Sequence, residues 1–213
     1  MTMTLAHQPA SAKPAQFPRA SGYPRAHRVR IVTVPDRNCV AIDGLAAPGG
    51  PEFQAAMAAL YSAAYSLHFL LRDRGIEAPI GPAEALWERR DGASTWAEGA
   101  FAFEPTAWRW TLFIGLPDEA TDEDVAAAFA VARRKRPSAA LGNLHQMTLG
   151  EGLVVEAMHI GPYDAEPETI ARMHEFATAA GLEPRGPHHE IYLGDPRRTD
   201  PSRLRTVLRQ PLA

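Results

Sequence analysis

Cysteine is almost absent. Cys39 stands alone among 213 residues, so the chain has no internal disulfide and no cysteine-rich zinc set. That usage fits a reducing cytoplasm, the location expected here. The eight histidines are scattered, and none shows the H-E-x-x-H spacing of a helix-borne zinc site, so no metal and no cofactor is expected. No apolar run reaches the roughly 18 residues that a membrane-spanning helix needs, so no membrane partner is expected. A strong excess of either charge is missing too. The net charge is −3, and the basic runs Arg133 to Arg136 and Arg197/Arg198 are short and read as solvated surface, so direct nucleic-acid binding is not expected. Acidic residues are missing from residues 1–27, a stretch rich in Ala, Pro and Ser that reads as a disordered leader, with a transit peptide as the alternative.

What is present is an ordinary globular composition, 46% hydrophobic and 22% charged, enough for a sizeable core. From Arg28, RVRIVTV alternates as a strand, PDRN turns and CVAIDGL alternates again, which predicts a β-hairpin. Between Glu52 and Asp73, Phe53, Met57, Leu60, Ala64, Leu67 and Leu71 recur at helical spacing, and Gly75 ends the helix. A strand follows at EALWERRDG. Another follows at WRWTLFIGL, with Trp108, Trp110, Leu112 and Ile114 on one face.

Thr121 with Asp124 marks the start of a helix that is acidic in its first turn and basic in its last. NLHQMTLGEGLVVEAMHIG then reads as a second hairpin turning at Gly150 to Gly152, followed by a helix stopped by Gly181 and by strands at PHHEIYL and RLRTVLRQPL. The order hairpin, helix, strand, strand occurs twice. The expected fold is α+β: two tandem modules, 28–117 and 138–213, joined by a bridging helix at 121–136, with antiparallel sheets.

Glu190 raises the central question, because it interrupts an apolar strand where an unpaired carboxylate is costly. Alternation sends Ile191 and Leu193 to one face and His188, Glu190 and Tyr192 to the other. If the helices cover the first face, Glu190 and Tyr192 look into the groove between modules. An ion-paired structural glutamate and a functional one both remain open at this point. Tyr61, Tyr65 and His68 share a stripe beside the core stripe of the first helix, either lining a cleft or filling the core boundary. Trp108 and Trp110 are candidates for stacking on a planar ligand or for the core. Trp87 and Trp96 flank an irregular segment that is a candidate lid. His159 and Tyr163 sit at a strand-to-helix turn where Gly161 and Pro162 suggest a structural role. His188 and His189 are candidate ligands or packed residues. Glu156 is a candidate second carboxylate or a solvated edge.

HIGPYDAE at His159 to Glu166, MHEF at Met173 to Phe176, HHEIYLGDPRR at His188 to Arg198 and the closing LRTVLRQPL together resemble the GyrI-like small-molecule-binding superfamily. The similarity is strongest to the branch of the cyclopropanoid cyclopropyl hydrolases, and it extends through PEFQAAMAALYSAAYSLH at Pro51 to His68 and WRWTLFI at Trp108 to Ile114. The resemblance implies an SHS2-like pair of modules with pseudo-twofold symmetry and a cleft for flat aromatic, often cationic, small molecules. It also implies a binding glutamate on the next-to-last strand, which matches Glu190.

The function expected from the resemblance is hydrolysis of the cyclopropane of cyclopropanoid genotoxins such as yatakemycin relatives, a detoxification or self-resistance activity. The alternative is non-catalytic binding or sequestration of aromatic or cationic drugs, in the manner of a multidrug-sensor effector domain. Contact with DNA gyrase rests on the family name alone. In the hydrolase reading Glu190, Tyr65 and Tyr192 carry the chemistry, with Trp108, Trp110, Tyr61, His68, Trp87, His188 and Glu156 as ligand-binding candidates.

Overall fold

The structure is a computed structural model that describes residues 22–45, 49–91 and 108–213. The leader up to residue 21 and Trp96 of the expected lid lie outside the described residues.

The apolar stripe of the first helix folds as expected. Helix α1, Pro51–Asp73, starts with proline in its first turn, where the missing N–H is no loss, and buries Leu60, Leu67 and Leu71. They pack with Val40, Ile42, Trp110 and Leu112 from strands β2 (Arg37–Gly44) and β4 (Trp108–Gly115). Truncating any one of these leucines to alanine would remove about 2–5 kcal/mol. Helix α2, Asp122–Lys135, lies on α1 and buries Val125, Ala128 and Ala132. Its capping box is complete: Asp124 N–H donates to Thr121 Oγ1 at 3.2 Å, and Thr121 N–H donates to Asp124 Oδ2 at 3.1 Å. Helix α3, Glu166–Ala179, buries Ile170, Met173 and Ala177 against Ile31, Val155 and Leu208.

The strands form one eight-stranded sheet. Besides β2 and β4 it contains β1 (Val29–Val34), β3 (Glu84–Arg89), β5 (His145–Leu149), β6 (Gly152–Ile160), β7 (His188–Tyr192) and β8 (Arg205–Pro211). The order is β1-β6-β8-β7-β3-β4-β2-β5, and all neighbours in it are antiparallel. The two halves are alike: β1, β2, α1, β3 and β4 recur as β5, β6, α3, β7 and β8, and the halves join where β3 pairs with β7, β1 with β6 and β2 with β5.

Neither expected hairpin forms. β1 pairs with β6, while β2 pairs with β5, and the register Val34 opposite Gly152 continues as Arg37 opposite Leu149. Each supposed hairpin is one long bent strand, and the two bent strands form a single ribbon. The backbone explains this. A two-residue hairpin turn needs positive φ, which Pro35 cannot adopt and which Asp36 does not adopt, so the chain runs on instead of reversing. At the bend Gly150 allows the ribbon to close up, since a Cβ there would lie 3.1 Å from Asp36 Oδ1.

The two faces of the sheet differ in chemistry. The helices cover the face that carries Trp87, Trp110, Leu208 and Glu190. The other face holds a buried ionic network. His189, fully buried, places Nδ1 2.9 Å from Glu151 Oε1 and Nε2 2.8 Å from Glu84 Oε2, so both ring nitrogens donate and the ring is an imidazolium. Arg209 bonds Glu156 at 2.8 Å and Glu151 at 3.2 Å, Arg30 bonds Glu156 at 2.8 Å and Arg37 bonds Glu84 at 2.6 Å.

Candidate active site

Helices α1 and α3 both lie on the face of Glu190, not on the face of Ile191; α1 packs on β2 and β4 and α3 on β1 and β6, which leaves β3 and β7 between them as the floor of a groove. Glu190 sits at the seam of the two halves, opposite Ala85 on β3 and Leu208 on β8. Partly buried, it accepts a hydrogen bond from the Tyr192 hydroxyl at 2.8 Å. Residues two apart on a strand share a face, which is how β7 brings acid and phenol together.

No cation faces Glu190 at ion-pairing distance among the described residues, in contrast to Glu84, Glu151 and Glu156 on the far side. Burial therefore dominates and raises its pKa to about 7, despite the opposing effects of the Tyr192 hydroxyl, the Trp87 indole and the His189 charge. Glu190 can hold or release a proton near neutrality. Tyr192 is pushed well above the usual range by burial and by Glu190, and so remains a phenol and a donor.

Trp87 on β3 is the neighbouring floor residue. Its indole ring stacks on Phe53 of α1 at 5.9 Å and meets Trp108 edge-on at 6.4 Å. The Trp87 N–H is buried without a hydrogen-bond partner, although it lies close enough to Glu190 to favour the ionised form. Placed near Glu190 and Tyr192 but making no well-aligned bond to either, it is a donor free to turn to a ligand acceptor.

The α3 side supplies two groups whose roles the sequence did not indicate. Tyr163 packs its ring edge-on against Tyr192 at 6.0 Å, and its pKa rises to about 12 through burial and the Glu166 and Glu190 charges. Glu166, the first residue of α3, is 5% exposed, and its Oε1 has no hydrogen-bond partner. Burial and the charge of Glu190 raise it well above the usual carboxylate range, against a hydrogen bond from the Thr206 side chain. An acid in the first turn of a helix reads in sequence as a dipole partner, and that ordinary role hid Glu166.

The other expected site residues are dispersed. Tyr61 is half-buried on α1 beside Ala83, close to Asp195 and Arg197 at one end of the groove. Tyr65 is 52% exposed and continues an aromatic row from Tyr61 to Phe69, at 6.3 Å and 6.4 Å between ring centres. His68 bonds the Ala78 carbonyl through Nδ1 at 2.7 Å and ties α1 to the segment before β3. Trp108 and Trp110 are buried in the core, where Trp110 meets Phe53 edge-on. His188 is buried on the helix face, and its pKa is lowered to about 3 by burial and the His189 charge, so it is neutral. Glu156 lies in the ionic network on the opposite face, bonded to Arg30 and Arg209.

The site therefore offers a carboxylate near its titration point, a buried carboxyl, two phenols and an indole N–H within an aromatic groove. No described group of His, Cys, Asp and Glu residues is arranged to hold a metal ion. No described helix is long and apolar enough to cross a membrane.

The family model of the GyrI-like small molecule binding domain matches residues 27–213. The chain is similar to a crystal structure of an uncharacterized conserved protein from Listeria innocua, with 31% identity, a TM-score of 0.78 and coverage of 88% of this chain and 93% of that one. It is also similar to a hydrolase from Listeria innocua, with 32% identity, a TM-score of 0.76 and coverage of 90% and 93%. The C-terminal domain of EcmrR shares the fold at 11% identity and a TM-score of 0.54, over 87% of this chain and 97% of that one. No curated protein matches the chain.

Proposed function

The chain belongs to the GyrI-like small-molecule-binding family, and from that premise we propose that its groove hydrolyses the strained cyclopropane of flat cyclopropanoid genotoxins, a detoxification activity. The observation that carries this reading is Glu190, a carboxylate with a pKa of about 7, unpaired by any described cation and set in an aromatic groove beside a phenol donor. A pKa near the working pH suits a general base. The similarity to Listeria proteins described as hydrolases supports catalysis over binding alone.

The chemistry asks little of the protein. In a spiro-cyclopropyl dienone, water attacks the unsubstituted cyclopropane carbon and forms a C–O bond while one ring C–C bond breaks. The released electron pair makes the ring aromatic and leaves negative charge on the former carbonyl oxygen, which becomes a phenol on protonation. Phe53, Trp87 and Tyr61 hold the flat body, Glu190 takes the proton of the attacking water, and neutral donors face the developing oxyanion. Tyr192 is one such donor once its single hydroxyl proton swings from Glu190, to which it donates in the free protein, to the ligand oxygen.

A second reading has its own observation. The helix face bears two carboxyl groups, Glu190 and Glu166, that make no ion pair among the described residues, as a site for a cationic aromatic ligand would require. In that case the protein sequesters and does not turn over. The two readings separate when a cyclopropanoid is incubated in ¹⁸O-water with protein far below ligand concentration. Hydrolysis gives many equivalents of ring-opened phenol carrying one ¹⁸O at the former cyclopropane carbon. Sequestration gives at most one equivalent of ligand protected and no label.

A further inference from the structure

Two buried polar atoms of the groove lack partners, the Trp87 indole nitrogen and Glu166 Oε1. Both side chains neighbour Glu190. Trp87 is on β3 beside Glu190, while Glu166 caps the α3 wall above Thr206, the residue directly opposite Tyr192 on β8. Nearly all buried polar groups in folded proteins are satisfied, so an unsatisfied pair facing one groove indicates a ligand that completes them. An indole N–H can only donate. A carboxyl placed near a second, ionisable carboxylate holds its proton more tightly than usual and donates as well. The group that answers both is an acceptor, such as a carbonyl oxygen.

We infer that Glu166 is a further catalytic residue, the proton donor to the ligand oxygen, working as a pair with Glu190. This rests on the hydrolase reading. Glu190 takes the proton of the attacking water as the C–O bond forms and the cyclopropane C–C bond breaks. Glu166 gives its proton to the oxygen that receives the electron pair, so the product leaves as a neutral phenol. Afterwards the proton gained by Glu190 passes to Glu166, and the pair returns to its starting state with one water consumed. Two carboxyls of unequal environment are the usual means of running acid and base chemistry in one site. The groups facing Glu166 are Tyr163 from the turn before α3, Thr206 from β8, and Glu190 with Tyr192 from β7. Those facing Glu190 are Tyr192, Trp87, Glu166, Tyr163 and, through the sheet, His189. Among the described residues, no cation on this side of the sheet makes an ion pair with either carboxyl, so none competes for the role.

The test is the pH profile of cyclopropanoid turnover by wild type and Glu166→Gln, with ¹³C titration of the glutamate carboxyls read alongside. In wild type the rate rises as Glu190 ionises and falls as Glu166 does. Glu166→Gln keeps the shape and the bond from Thr206, so planar ligands still bind. Its turnover falls by about a hundredfold or more, the scale of a positioned acid, and the alkaline fall disappears. The Glu166 carboxyl titrates well above the ordinary range in wild type and moves down in Glu190→Gln, where the neighbouring charge is gone. Turnover by Glu166→Gln with an unchanged profile, or a Glu166 carboxyl that titrates in the ordinary range and ignores Glu190→Gln, overturns the inference while the hydrolase reading stands. A wild type with no turnover at all overturns that reading instead, and the catalytic role with it.

Discussion

Replacing Glu190 by glutamine should make the protein more stable at alkaline pH. The folded pKa of about 7 stands above the ordinary 4.5, so the folded state binds more protons than the unfolded chain across that interval. Stability therefore falls as pH rises from 4.5 to 7 and stays low beyond it. The difference is about 2.5 units, or about 3 kcal/mol at about 1.4 kcal/mol per unit. Glutamine has the same length and can accept from the Tyr192 hydroxyl, but that bond loses its charge assistance, which gives back about 1 kcal/mol. The net gain at pH 8 is then about 2 kcal/mol, a rise in melting temperature of about 4–8 °C for a domain of this size. At pH 5 Glu190 is already protonated in the folded state, so the gain should vanish. Thermal melts of wild type and Glu190→Gln at pH 5 and pH 8 make the comparison. A variant that melts earlier at pH 8 would show that Glu190 has a stabilising partner, and the argument from an unpaired buried carboxylate would fail.

Three further outcomes are expected. In fluorescence titrations with a planar aromatic ligand, Trp87→Phe should lose most of the tryptophan quench while Trp110→Phe keeps it, because Trp87, though it shares a buried cluster with Trp110, is the one beside Glu190; full quench in Trp87→Phe would place the ligand elsewhere. His189→Asn should cost about 3–5 kcal/mol in denaturant melts, because it removes the cation between Glu84 and Glu151. Since the His189 pKa is raised in the folded state, its stabilisation is complete below 6.5 and is lost as pH rises through the folded value, so a variant as stable as wild type at pH 6 would contradict the imidazolium assignment. Gly44→Ala should destabilise by about 1–3 kcal/mol, since the new Cβ would lie 2.1 Å from the buried Trp110 ring; an unchanged melt would mean the ring moves aside freely.

Periodicity made much of this architecture legible. The apolar stripe of α1, the capping residues of α2 and the alternation of β4 and β7 each specify a local structure that tertiary contacts left intact. Strand pairing was not legible. A strand that bends and continues has the same alternation as one that turns back, and only the backbone at Pro35 and Asp36 decides between them. The site was read in part for a similar reason. Glu190 stood out because it breaks an apolar strand, and Tyr192 followed from the period of two. Glu166 and Tyr163 both belong to the HIGPYDAE stretch, but they sit at a helix start, where polar residues are expected, so Tyr163 read as part of a structural turn and nothing marked Glu166 as a site residue. Glu156 looked equivalent to Glu190 in sequence, both being acids within apolar strands. The sheet separates them: one faces two arginines, the other faces aromatic rings and a second acid.

The central claim is that an ionisable Glu190 turns a binding groove into a hydrolytic one. The most direct test is the number of turnovers at pH 8 when a cyclopropanoid is in large excess over wild type or Glu190→Gln, with the uncatalysed opening subtracted. Many turnovers are expected for wild type, and a rate at least about a hundredfold lower for a fully folded Glu190→Gln. A wild type that stops after one equivalent, or a variant that keeps the wild-type rate, would contradict it.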